Sequence, residues 1–134
     1  MPSTATARFR PLVPVAVFGP SGNSLAFERA LVDPGADDTI FHLDVAAALG
    51  IPLLVDAGHG MRWRGQQFRL RFGFVDLELA DDSGNTLRWP ATIAFTMAKV
   101  RYPLLGVSGC LEFFDARFLG QARIVELEPN PLFP

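Results

Sequence analysis

The chain has 134 residues, of which 49% are apolar and 19% charged, with a formal net charge of −2. That suits one folded domain with its own core and excludes a disordered chain. The charge is too near neutral, and basic runs too scarce, for a nucleic-acid binder. No apolar run approaches the roughly 18 residues of a membrane span.

Cys110 is the only cysteine, which rules out an intrachain disulfide and argues against a cysteine-built metal site. With no secretory h-region in residues 1–10, it fits a reducing compartment, and a cytoplasmic location is expected. No His/Asp/Glu cluster has metal spacing, so neither a metal nor a cofactor is expected.

Residues 1–8 read as a flexible terminus, 9–127 as a single domain and 128–134 as a proline-rich tail. Residues 9–18 form a first strand, with Pro11 and Pro14 requiring an edge or a bulge. The turn residues 19–24 send the chain back through a second strand, 25–32. Asp33-Pro34-Gly35 stops that strand, and a short strand or turn follows at 38–41. Leu43 to Leu49 reads as a short helix closed by Gly50, with Pro52 beyond it. Residues 51–55 form a short apolar strand.

Residues 57–67 hold Gly58, Gly60 and Gly65 around Met61, Arg62, Trp63 and Arg64, which reads as an exposed hairpin. Phe68, Leu70, Phe72 and Phe74 then share one face, expected to be core. Leu77 and Leu79 have the opposite parity, which predicts a bulge near 73–76. After a turn at 81–85, Leu87 to Phe95 alternates as a half-buried strand. Residues 102–105 form a short strand ending at Gly106. Residues 108–116 suggest a second short helix, and 117–127 a final strand region. The expected class is all-β: a closed barrel with one or two short helices.

The segment Ala30-Leu31-Val32-Asp33-Pro34-Gly35-Ala36-Asp37-Asp38-Thr39, with Leu49-Gly50-Ile51 after it, carries the chemistry. It is followed by Tyr102-Pro103-Leu104-Leu105-Gly106 and Phe113-Phe114-Asp115-x-x-Phe118. In that order the chain resembles the retropepsin family of retroviral-type aspartic proteases and their bacterial relatives, over most of residues 9–127. The resemblance implies an acid-protease β-barrel acting as a homodimer on a peptide or protein substrate. Asp33 is then the catalytic carboxylate, and Pro34, Gly35, Ala36 and Thr39 form the supporting motif. Asp37 and Asp38 meet the substrate backbone. The hairpin at 58–66 is a flap whose Met61, Trp63 and Gly65 touch substrate. One chain supplies one carboxylate, so the second Asp33 comes from a second copy across a two-fold axis.

Two positions depart from the family pattern. Its middle residue is Thr or Ser, whose hydroxyl braces the two loops across the dimer; Pro34 has neither hydroxyl nor N–H. Retroviral members also carry Gly-Arg where this chain has Gly106-Val107, so Asp37 lacks an arginine partner unless Arg8, Arg10 or Arg117 replaces it. These departures keep a second reading open: a catalytically weak or inactive dimerisation or peptide-binding module. A third reading, an unrelated all-β domain, stays open because Asp-Pro-Gly is also ordinary turn chemistry. His42 and His59 are isolated and read as surface or packing residues. Ser21 lacks the flanking pattern of a nucleophile elbow, and its loop lacks the Lys and Ser/Thr of a phosphate loop.

Overall fold

The computed structural model describes residues 12–54, 60–122 and 124–134. The terminus 1–8, Arg10, Val55, Gly58 and His59 lie outside the described residues. Among the described residues, ten strands and one α-helix follow in chain order: β1 Leu12–Phe18, β2 Ser24–Val32, β3 Ile40–His42, α1 Leu43–Leu49, β4 Gly60–Trp63 and β5 Gln66–Arg69. Next come β6 Arg71–Ala80, β7 Thr86–Thr96, β8 Leu104–Leu105, β9 Phe114–Leu119 and β10 Ile124–Pro129. The pairings run β1-β2-β8-β3-β7-β6 and return to β1, which closes a six-stranded barrel. Two small hairpins, β4-β5 and β9-β10, stand outside that ring.

The first hairpin forms as its composition predicts. Pro14 sits where the β1–β2 register shifts between Val13 and Val15, so its missing N–H falls at a bulge. The turn closes through Gly19 N to Asn23 O at 2.9 Å, with Gly22 at φ 86°. The helix α1 occupies the predicted residues. His42 caps its start by accepting from Asp44 N at 3.1 Å, and Gly50 ends it at φ 65°. Val45, Ala46 and Leu49 are its buried side. Among the described residues, no helix is long and apolar enough to cross a membrane.

Four expectations need correction. Residues 51–54 form no strand; Leu54 makes only one bridge, to Phe72. The expected helix at 108–116 is a single 3₁₀ turn, Leu111–Phe113, because Gly109 at φ 89° breaks the helical path before it and Phe114 is already extended. The phenylalanine stripe is not a continuous core face, and no bulge interrupts β6. Its register with β7 is unbroken from Arg71↔Phe95 to Ala80↔Thr86.

The parity changes because the covered face changes. Leu70 and Phe72 pack on a small cluster with Ile40 and Ala94. From Gly73 onward the odd residues Val75, Leu77 and Leu79 face the main core instead. Phe74 falls between the two and is 66% exposed.

The main core is built from Val17, Val32, Phe41, Leu77, Trp89, Ile93, Phe95 and Leu105, all nearly inaccessible. Fully burying side chains of this kind contributes about 1.5–3 kcal/mol each. Trp89 stacks edge-on with Phe114 and Phe133, ring centres 5.2 and 5.8 Å away. Glu128 and Pro129 extend β10, and Asn130 donates from its backbone N to Phe113 O at 3.0 Å, so the proline-rich tail folds back onto the barrel.

Cys110 lies in the same core, and burial pushes its thiol up from 9.0 to about 12. The unfolded thiol ionises above pH 9 while the native one keeps its proton, so native stability falls as pH rises from 9 toward 12. We expect Cys110 to resist iodoacetamide at pH 8 in the native state and to react fully in denaturant. Mass spectrometry of the alkylated chain reads this directly.

Candidate active site

Asp33 follows directly on β2. Leu31 N donates to Pro103 O at 2.8 Å and Asp33 N to Leu105 O at 3.0 Å, so the parallel ladder with β8 continues up to the carboxylate. There the chain turns. Ala36 N donates to Asp33 O at 3.1 Å, closing a four-residue turn with Pro34 in second place. A proline is favoured there, because its fixed φ suits the turn and no N–H is required of it.

Gly35 N donates to Asp33 Oδ1 at 2.9 Å, which fixes the carboxylate plane against its own loop. A Cβ at Gly35 would sit 3.2 Å from that oxygen, so glycine leaves the room. The half-buried Asp33 receives no other side-chain hydrogen bond from the described residues, so Oδ2 is available to water or to another molecule.

The loop is stapled along its length to residues 105–108. Val107 N donates to Ala36 O at 2.9 Å, Ser108 N to Asp37 O at 2.8 Å, and Thr39 N to Ser108 O at 3.1 Å. Thr39 is fully buried, and its hydroxyl accepts from Gly106 N at 3.2 Å and donates to Gly106 O at 3.4 Å. Gly106 passes beneath the loop: a Cβ there would collide with Asp38 O and lie 2.6 Å from Ala36 O. Only glycine lets the two segments cross this closely.

The residues singled out in the sequence fall into two groups. Asp33, Pro34, Gly35, Ala36 and Thr39 share this one stapled loop. Asp37 is exposed on it, and Asp38 is bridged in parallel to Ser108. Met61, Trp63 and Gly65 sit on the β4–β5 hairpin, whose two-residue turn has Arg64 at φ 50° and Gly65 at φ 78°.

A small apolar cluster links the two groups. Leu104 pairs with both Leu31 and Ile40, and Leu104 and Met61 pack on the same Ile40-Leu70-Ala94 cluster. Sequence reasoning missed Ile40 and Leu104 as links, because their role depends on strand neighbours distant in the chain. It also missed Trp89, whose Nε1 donates to Gly109 O at 2.9 Å and holds the far end of the 105–109 segment.

Val107 is 42% exposed, and its contribution is made through the backbone: its N–H donates to Ala36 O and its carbonyl accepts from Glu112 N at 2.9 Å. Arg117, one expected substitute partner for Asp37, lies instead 3.9 Å from Glu126. Arg8 and Arg10 are outside the described residues. Among the described residues, no group of three His, Cys, Asp or Glu side chains could hold a metal ion.

No family model matches the chain. No curated protein matches it either. Among solved structures, the chain is similar to EIAV protease complexed with the inhibitor HBY-793. The identity is 17% and the TM-score 0.47, over 78% of this chain and 88% of that one.

The crossing makes a sharp prediction. Gly106→Ala should destabilise the fold by more than about 3 kcal/mol, since the obstructing atoms are backbone and cannot rotate away. Thr39→Val keeps the shape but strands the buried Gly106 N–H, at a cost of about 1–3 kcal/mol. Urea denaturation midpoints of the two variants test both magnitudes.

Proposed function

We propose that this chain is one half of a homodimeric aspartic endopeptidase of retropepsin type, with Asp33 and its copy in the second chain as the catalytic pair. The observation that carries this reading is the Asp33 loop. A carboxylate at a strand end has one oxygen tied down and one available, on a loop held by backbone bonds to a second crossing segment. Ordinary turns do not require this crossing.

The chemistry follows from pairing two such loops. Two carboxylates about 3 Å apart cannot both ionise and share one proton, as aspartic proteases generally do. The ionised member takes a proton from a water, whose oxygen attacks the scissile carbonyl carbon. The protonated member donates to the carbonyl oxygen as the tetrahedral diol forms. The member that took the water proton then passes it to the leaving nitrogen as the C–N bond breaks, while the other takes a proton from a diol hydroxyl as the new carboxyl group forms, so the pair again holds one shared proton. In this reading Asp37 and Asp38 meet the substrate backbone. The β4–β5 hairpin covers the substrate, with Met61, Trp63 and Gly65 near the peptide.

Asp33→Asn should abolish hydrolysis of an extended apolar peptide, by at least about 10³-fold, while leaving dimer mass by light scattering unchanged. Undiminished cleavage by that variant would overturn the reading.

Pro34 favours a second reading, a dimerisation or peptide-binding module with little or no catalysis. It fits its own turn well yet offers no hydroxyl to a partner loop. Pro34→Thr separates the two. A rise of one to two orders of magnitude in kcat means that the machinery lacks only its brace. No cleavage by either wild type or Pro34→Thr means that the fold serves binding.

A further inference from the structure

The β4–β5 hairpin segregates charge in a way the hydrolytic chemistry does not require. Residues 60–75 contain Arg62, Arg64, Arg69 and Arg71 and no Asp or Glu. That leaves eight basic side chains against 14 acidic ones in the rest of the chain, so a cationic patch stands on an otherwise anionic molecule.

The strand pairing sorts the side chains by face. Met61 opposes Phe68 and Trp63 opposes Gln66, all on one side. On the other side Arg62 opposes Gln67, and Arg69 opposes Gly60. All four arginines are exposed. Among the described residues Arg62 donates only to Gly65 O, at 3.4 Å, and the Arg64 guanidinium lies 5.9 Å from the Trp63 ring. Among the described residues, Arg62, Arg64 and Arg71 have no acidic partner.

We propose that this hairpin recognises acidic polypeptide segments, so that the enzyme selects substrates carrying Glu or Asp beside the apolar residues held at the site. The proposal names the substrate class of the peptidase reading and rests on it. Three observations favour a polypeptide over other polyanions. Among the described residues β4 and β5 pair only with each other, which leaves open backbone edges for an extended chain. The hairpin's apolar side is anchored through Met61 on the Ile40-Leu70-Ala94 cluster, so it is not free to enter a membrane. The surrounding net negative charge opposes dense polyanions such as RNA.

Each exposed ion pair is worth roughly 1.5- to 5-fold in affinity, so Arg62, Arg64 and Arg71 together give about tenfold at low salt. The test uses two fluorescein-labelled peptides with the same apolar centre, one flanked by Glu and one by Gln. Binding is read by anisotropy on Asp33→Asn, and cleavage is read on wild type.

The Glu peptide should bind about tenfold tighter, with the margin vanishing near 1 M salt. The margin should also disappear in R62E/R64E and shrink in the milder R62Q/R64Q. Equal binding of the two peptides, or a margin that survives R62E/R64E, overturns the proposal. So does displacement of the Glu peptide by poly-uridylate or by phosphatidylserine vesicles at lower concentration than by unlabelled Glu peptide. Equal cleavage of both peptides by wild type overturns acidic selection and leaves the peptidase reading standing. A retained binding margin without any cleavage supports acidic recognition and sinks the peptidase reading.

Discussion

The architecture turns on one contact that side chains would prevent: Gly106 passing under the carbonyl oxygens of Ala36 and Asp38. Because the segments cross at backbone distance, backbone groups do the joining. Asp33 N, Ala36 O, Asp37 O and Thr39 N all find partners between Leu105 and Ser108. The buried Thr39 hydroxyl accepts from Gly106 N, which would otherwise be stranded beneath the loop, and donates to Gly106 O, which also accepts from Leu111 N at 2.9 Å. The carboxylate of Asp33 is thus placed by a lattice of main-chain bonds, and its own orientation needs only the Gly35 N–H.

That construction determines which side chains can vary. Val107 contributes an N–H to Ala36 O, so its side chain can point outward without disturbing the loop. Pro34 occupies the one position of the turn where no N–H is used. Departures at these two positions therefore leave the frame of the loop intact and remove only what a hydroxyl or a guanidinium would have added. That frame alone is compatible with either proposed reading, a slow enzyme or a binding module.

The support extends outward from the crossing in layers. Gly109 O accepts from Trp89 Nε1, and Gly109 N donates to Glu112 Oε2 at 2.7 Å. Trp89 is covered by Phe114 and Phe133, which also contact each other with ring centres 5.6 Å apart. Asn130 holds Phe133 in place by accepting from its N–H and by donating to Glu112 O. The proline-rich tail thus forms an outer layer over Trp89, which in turn holds Gly109 of the segment beneath the Asp33 loop. Its prolines fall at the end of β10 and beyond it, where no ladder bond is asked of them.

This layering explains what could be read in advance. The β1 bulge, the helix with its glycine stop and the Asp33 turn depend on neighbours within a few residues, and each follows from local chemistry. The β6 stripe does not. Whether Phe72 or Val75 is buried depends on which face of the sheet another segment covers, and that is decided by Ile40 and Ala94 on one side and the main core on the other. Period-2 parity is visible in the chain but the change of covered face is not, so the pattern reads as a bulge. The expected helix over 108–116 shrinks to a 3₁₀ turn for a similar reason. Local propensity over 108–116 favoured a helix, but Gly109 lies 2.8 Å, measured from where its Cβ would be, from the Thr92 carbonyl oxygen. Packing against β7 overrode the propensity, just as the crossing at Gly106 fixes backbone positions that no local rule would choose.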